Sequence, residues 1–586
     1  MEVLRLFDLL PYQLEKFPQE DAFVSKVDGA WKPYSTQDAI NRANAFSHGL
    51  LKLGIKPGDK IAIICPNRPE WNFLDYGIQQ IGAVGVPMYP TITEDDYRFI
   101  FKDAEVKLVF VGDAEIYRKA KNAASVLPDV KEIFTIVKVD DARQWSDVEA
   151  LGKDGDKQQL ESLKTAVKSD DVVTLIYTSG TTGSPKGVML THNNLISNFK
   201  ASQPLMPVDH NHRALSFLPL CHVYERMLTY LYFSFGVSIY YAESIDTIGE
   251  NLKEVKPHIF TTVPRLLEKV YDKIVAKGSE QTGIKKKLFF WALELGLNYD
   301  IQGNNSLWFK MQLWLANMLI FSKWRAALGG NIKAIVSGSA PLQPRLAKVF
   351  WAAKIMVMEG YGLTETSPVI SVNRCTAVDN RIGTVGPLID GVEVKLAEDG
   401  EILTRGPHVM KGYYKRPDLT AEVIDKDGWF HTGDIGTFVE GRFLKITDRK
   451  KEIFKTSGGK YVAPSSLENK FKESRFIEQM MVVGDGQKFP GALIVPSFGF
   501  LKSYCERKDI PYTSEAEIIK NPEILDRFQK EMDAYNEGFA QYEKIKKFAL
   551  LPKLWTIDSG ELTPTMKVKR KIITAKYMDL IEGLYK

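Results

Sequence analysis

The chain has 586 residues, 44% hydrophobic and 26% charged, with 77 basic and 73 acidic side chains giving a net charge of +4. That length exceeds what one hydrophobic core organises and calls for several domain-sized units. The near-neutral balance argues against a global nucleic-acid binder, and Cys65, Cys221, Cys375 and Cys505 lack zinc or disulfide spacing, which points to a reducing cytosol.

The N-terminal "MEVLRLFDLLPYQ" carries acidic residues and a proline where a secretory signal needs an apolar core. "KIAIICP" (60–66) and "VKLVFVGD" (106–113) then read as strands alternating with helical patterns, which predicts α/β layers. "IYTSGTTGSPKGV" (176–188) follows a β-branched apolar run and precedes the strand-like "KGVML", while Thr191 reads as a helix N-cap. The loop therefore joins two strands, and without GxxxxGK[ST] it is not a Walker A loop. Its glycines turn backbone N–H groups outward, Thr178, Ser179, Thr181 and Thr182 add hydroxyl donors, and Lys186 adds a point charge. Phosphate binding and a flexible surface hairpin both fit those residues alone.

The uncharged run Met227–Ala242, with its Tyr, Thr and Ser, predicts a buried helix–strand pair rather than a membrane span. Residues 283–327 contain "KKKLFFWALELGL" and "LWFKMQLWLANMLIFSKWR". Aromatics and leucines flanked by Lys or Arg suit a surface helix that meets lipid, here over 284–325, and equally a buried helical pair, the simpler expectation. From Gly383 to Asp448 the texture is β-rich: "VEVKLAEDGEILTRG" and "IGTFVEGRFLKITDR" read as two hairpins. Beyond Arg449 the chain is Lys-rich, so a boundary is expected near Arg449–Lys451, dividing residues 1–449 from 450–586.

Taken whole, "YTSGTTGSPKGV" resembles the phosphate-binding motif of the adenylate-forming superfamily of acyl-CoA synthetases, luciferases and peptide-synthetase adenylation domains. Further motifs arrive in the family's order: "SGSAPL" (337–342), "EGYGLTET" (359–366), "GWFHTGD" (428–434), "LKITDRKKEIFKTSGGKYVAPSSLE" (444–468) and "LTPTMKVKR" (562–570). The resemblance implies a large N-terminal domain of layered α/β subdomains with a β-rich subdomain, a hinge, and a small mobile C-terminal α+β domain.

It also implies roles. Thr178, Ser179, Gly180, Thr181, Thr182, Gly183 and Lys186 would cradle phosphates. Gly338, Ser339 and Ala340 would read the adenine edge, with Glu359, Gly360, Tyr361 and Gly362 beside it, Tyr361 stacking on the base. Thr364 would bind the α-phosphate, and Glu365 with Thr178 would hold Mg²⁺. Asp434, backed by Arg449 and flanked by Ile446, would accept the ribose hydroxyls. Lys567 would drive adenylation, although Met566 stands where the family keeps a glycine. Lys451 would be the hinge, with Lys455, Gly458 and Gly459 on a thioester-forming face for CoA. His222 would stand beside the acyl carboxylate, followed by Val223, Tyr224, Glu225 and Arg226 where long-chain members often carry a tryptophan gate.

Residues 427–464 resemble the signature of long-chain fatty acyl-CoA synthetases most. The expected activity joins a fatty acid to CoA at the expense of ATP, in the cytoplasm, with peripheral membrane contact and homodimer formation left open. Two alternatives remain. One is an enzyme of the superfamily acting on an aryl, short-chain or amino acid. The other is a non-catalytic binding relative, which should have lost Glu365, Lys186 or Lys567; all three are present.

Overall fold

The structure is a computed structural model that describes residues 2–178, 185–557, 559–563 and 566–586. Apolar β-branched runs become parallel strands where both faces are covered. Val172–Thr178, Val84–Pro87, Lys60–Ile64, Val106–Val111 and Glu132–Thr135 are neighbours of this kind in a seven-stranded sheet. Lys186–Thr191 adds to it antiparallel, with Thr178 opposite Lys186, and Gly412–Tyr413 forms the edge. The motif at 176–188 thus joins two strands, as its flanks predict. Thr191 accepts the Asn194 N–H and caps the helix His192–Ser202.

An eight-stranded sheet runs in the order Val369–Val372, Val357–Gly362, Ala334–Ser337, Ile259–Thr262, Arg213–Ser216, Ser238–Tyr241, Phe23–Val27, Ala30–Tyr34. Side chains from both large sheets share one apolar core. Within it lies the helix Val223–Ser234, buried along its whole length and followed by the buried strand Ser238–Tyr241. Met227–Ala242 is therefore the predicted helix–strand pair. Arg226 is neutralised inside this core by Asp75, at 2.5 Å, and donates to Thr174 Oγ1 at 2.7 Å. A buried cation needs such partners, so Arg226 is a structural residue.

The two predicted hairpins form a four-stranded antiparallel sheet of Glu393–Leu396, Glu401–Arg405, Phe430–Val439 and Phe443–Arg449. Beyond it, a separate C-terminal domain is built on Ile477–Val483, Gly491–Pro496 and Lys547–Leu550, with a small hairpin of Phe454–Lys455 and Tyr461–Val462. Its core is its own.

Residues 283–327 correct the simpler expectation of burial. Helices Gly283–Leu297, Leu307–Ala316 and Ser322–Ala327, the last two joined by a π turn at Asn317–Phe321, do bury Phe289, Leu293, Phe321 and Trp324. The outer face, however, stays in water: Leu307 is 85% exposed and Trp308 65%. The expected burial describes the inner face alone. Among the described residues no helix is long and apolar enough to cross a membrane.

Candidate active site

A cavity of about 1640 Å³ opens between the three N-terminal sheets and the C-terminal domain, and most of the predicted residues line it. Ser179, Gly180, Thr181, Thr182 and Gly183 lie outside the described residues. Thr178 and Lys186, which flank them, both face the cavity.

The strand Val357–Gly362 supplies one wall. Glu359 is buried and accepts the Leu342 N–H at 3.1 Å, which ties the loop of Gly338, Ser339 and Ala340 to the strand. Glu359 therefore braces that loop as well as lining the cavity. Ser339 sits at φ 69°, a left-handed conformation, and lines the cavity. Gly362 is needed for close approach: a Cβ there would run into the Pro368 carbonyl of the neighbouring strand segment. Gly360 also lines the wall.

Burial raises the Glu359 carboxyl from 4.5 to about 8, outweighing the Leu342 N–H that favours the charged form. The folded chain thus holds a proton between those values that the unfolded chain has released. Stability from this group is complete below 4.5 and is lost as pH rises through about 8. Glu359→Gln keeps the acceptor and cannot ionise. Its thermal midpoint relative to wild type should rise from pH 5 to pH 8; a difference independent of pH would refute the assignment.

Thr364 and Glu365 follow on a 3-10 turn, with Thr364 buried. Glu365 Oε1 accepts the Tyr413 hydroxyl at 3.0 Å, and the Lys186 ammonium lies 4.9 Å from the centre of the Tyr413 ring. Tyr413 therefore joins the lysine of one motif to the carboxylate of another, and sequence reasoning missed it. Its signal was the aromatic pair in "KGYYKRP" (411–417), which no sequence argument connected to the site.

Asp434 is held from two sides, by the Tyr361 hydroxyl at 2.7 Å and by Arg449 Nε at 2.9 Å. The latter is a cross-strand pair, since Asp434 and Arg449 are in register. Tyr361 thus adds a polar contact to the stacking face expected of it. Each Asp434 oxygen keeps a second lone pair for a hydroxyl donor. Ile446 lines the same wall.

His222 caps the buried helix Val223–Ser234, and its Nδ1 accepts the Tyr224 N–H at 3.2 Å. The ring proton is therefore on Nε2. Burial, reinforced by the Lys567 charge, lowers its pKa to about 4, so it is a neutral donor at physiological pH. Tyr224 lines the cavity as well, while the Glu225 side chain turns into the core, bonds Thr261, and is raised by burial to about 7. Among these successors of His222, Tyr224 is the wall residue.

Lys567 enters from the C-terminal domain next to the bridge between Leu562 and Val568. The residue is exposed as a whole, yet protein crowds around its charge. Desolvation and the Arg449 charge lower its pKa, against Asp434, Glu452 and Glu365, which raise it. Met566 has φ 62°, which gives the family's glycine at that position its physical reason. The neighbouring Arg570 is no solvated tail: it bonds Glu468 at 2.5 Å, Glu452 at 3.2 Å and the Val482 carbonyl at 3.1 Å. The C-terminal domain is held in this pose by the Arg265–Glu478 ion pair and by Arg345, which donates to the Glu473 carbonyl at 3.0 Å.

Lys451 is exposed in the turn after Phe443–Arg449. On one side Lys450 pairs with Glu401 at 2.7 Å, and on the other Ser465 donates to Asp448 at 2.9 Å. Lys455, Gly458 and Gly459 are not brought to the cavity. They occupy an exposed hairpin of the C-terminal domain, where Gly459 takes φ 79°.

The donor set around Glu365 suits magnesium. Its carboxylate and the Thr178 hydroxyl are hard oxygens facing one cavity. Among the described residues no group of three or more His, Cys, Asp or Glu could hold a metal ion.

The family described as AMP-binding enzyme matches residues 10–414, and that described as AMP-binding enzyme C-terminal domain matches residues 451–586. A Mycobacterium bovis protein named long-chain-fatty-acid--CoA ligase FadD15 is 36% identical over 95% of this chain and 93% of its own. Long chain acyl-CoA synthetase 6, peroxisomal, of Arabidopsis thaliana is 33% identical over 96% and 83% respectively. Among solved structures, the adenylation domain of a Mycobacterium chelonae carboxylate reductase aligns with a TM-score of 0.79 at 21% identity, covering 99% of this chain and 91% of that one. A Mycobacterium tuberculosis fatty acyl CoA synthetase aligns at 0.63 and 21%, covering 98% of each. At these identities the likeness speaks to the fold.

Proposed function

The chain belongs to the AMP-binding enzyme family, and from that premise we propose that it is an AMP-forming long-chain fatty acid–CoA ligase. A fatty carboxylate oxygen attacks the α-phosphorus of ATP, the bond to the β-phosphate oxygen breaks, and pyrophosphate leaves. The CoA thiolate then attacks the acyl carbonyl and expels AMP, its proton passing to solvent.

The observation that carries this reading is the meeting of Lys567, His222, Asp434 and Glu365 around one cavity from both domains. Joining two anions requires neutralisation and positioning more than covalent help. Lys567 stabilises charge gathering at the α-phosphate. The neutral His222 donates through Nε2 to the acyl carboxylate, while Thr364 and Lys186 hold phosphate oxygens. Magnesium, bound by Glu365 and Thr178 together with the nucleotide, would add further neutralisation there. Asp434 and the Gly338–Ala340 loop place the nucleoside.

The long-chain reading is supported by the names of the relatives over nearly the whole chain. It is supported also by the apolar part of the cavity lining, which includes Met88, Ile92, Ile100, Met206 and Leu228. Residues 450–586 would turn about Lys451 between the half-reactions, exchanging Lys567 for the face of Lys455, Gly458 and Gly459. The proposed setting is cytoplasmic, with peripheral membrane contact through 284–325.

Incubation with ATP, Mg²⁺, CoA and acids from acetate to oleate tests the reading. AMP, pyrophosphate and acyl-CoA should appear, with the longer acids turned over best. ADP and phosphate, or a preference for acetate, would overturn it.

A further inference from the structure

Among the described residues, the outer face of the helices at 283–327 is left uncovered. Leu307, Trp308, Met311, Trp314, Met318 and Leu319 recur at helical spacing, and each is exposed, from 47% for Met311 and Leu319 to 85% for Leu307. A contiguous apolar stripe of this kind on a surface marks an interaction site. It is also firmly mounted. Asn317 donates to the Ala352 carbonyl at 2.9 Å, and Arg325 to Asn317 at 2.7 Å and the Ala353 carbonyl at 2.7 Å. Those bonds fix the π turn in the middle of the stripe to the helix Pro344–Ala352 beneath it.

Charge selects the occupant. Between Asp300 and Glu359 the chain has seven basic residues and no acidic one. Lys310 and Lys323 are exposed on the stripe's own helices, and Lys285, Lys286 and Lys287 are exposed at the start of the neighbouring helix, beside Ile284 at 76% exposure. Trp308 and Trp314 add the amphipathic rings that favour the headgroup level. Apolar and indole side chains ringed by lysines match an anionic bilayer surface, where each basic group near the interface adds attraction. An apolar protein partner would have no use for the lysine rim.

We infer that this face is an interfacial docking surface for an anionic membrane, seating the helix Leu307–Ala316 in the headgroup layer while the catalytic cavity stays in water. The inference deepens the proposed function and rests on the fatty acid reading for its purpose, since a water-insoluble acid is concentrated in a bilayer. The helix Gly283–Leu297, which forms one edge of the face, ends at Leu297 in the cavity wall, so surface and site share an element.

The test is flotation of the purified full chain with vesicles, and it needs no substrate. The wild type should float with equimolar phosphatidylcholine–phosphatidylglycerol vesicles and far less with phosphatidylcholine alone, and added salt should release it. Trp308→Ser/Trp314→Ser and, separately, Lys310→Glu/Lys323→Glu should each lower the floated fraction about tenfold. Octanoate turnover in free solution should be unchanged in both, which also shows that they fold. Equal flotation of wild type and variants would overturn the proposal, as would no flotation of the wild type. So would a wild-type dimer in sedimentation velocity that Trp308→Ser/Trp314→Ser dissolves, because the face would then be a protein interface. A chain that floats yet makes no acyl-CoA refutes the activity alone. One that makes acyl-CoA yet does not float refutes the surface alone.

Discussion

Lys567→Ala is expected to slow acyl-adenylate formation by about 10²–10³-fold, the usual cost of removing one charge-stabilising donor from a transition state. Conversion of supplied acyl-adenylate to acyl-CoA should be nearly unaffected, because Lys567 stands in the cavity only while the C-terminal domain holds its present pose. Lys451→Pro should show the reverse. The Lys451 backbone has no left-handed φ, and among the described residues its amide donates to no backbone carbonyl. Neither feature bars proline from the present arrangement, and its fixed φ would oppose rotation away from it. Adenylation should survive in Lys451→Pro while thioester formation falls by orders of magnitude. Thermal melts first establish that both variants fold, and single-turnover assays then separate the halves. Equal losses in both halves for both variants would mean one static site does all the chemistry. The lowered Lys567 pKa adds a second readout: adenylation should fade on the alkaline side earlier than an ordinary lysine would allow.

Glu365→Ala should abolish magnesium-dependent adenylation almost completely, by about 10³-fold or more. It removes the carboxylate from the cavity wall and also the acceptor of the Tyr413 hydroxyl, which in turn stands under the Lys186 ammonium. Glu365→Gln keeps an acceptor for Tyr413 but not the charge. It should recover folding stability and little activity, and a magnesium titration should show half-saturation displaced to higher concentration. If Glu365→Ala stayed within a few-fold of wild type at ordinary magnesium, the assignment would be wrong.

Much of the site was legible because local chemistry fixes it. The β-branched runs on either side of residues 176–188, with Thr191 as N-cap, require a strand–loop–strand–helix order whatever the rest of the chain does. The turn glycines between 383 and 448 likewise require hairpins, and the hairpin ending at Arg449 places Asp434 opposite Arg449 by register alone. Arg226 is the contrary case. Its charge next to His222 suggested nothing structural, because Asp75 and Thr174, which neutralise it, are distant in sequence.

The amino-acid order by itself determined the ordered motifs, the family they belong to and the kind of group each step requires, since those depend on residue type and near-neighbour spacing. Only the tertiary structure decided which groups meet. It brought Tyr413 between Lys186 and Glu365, made Glu359 a brace, gave His222 its Nε2 proton, and split the helices at 283–327 into a buried and an exposed face. Those outcomes depend on contacts between segments far apart in the chain, where packing and desolvation, rather than local propensity, set the energies.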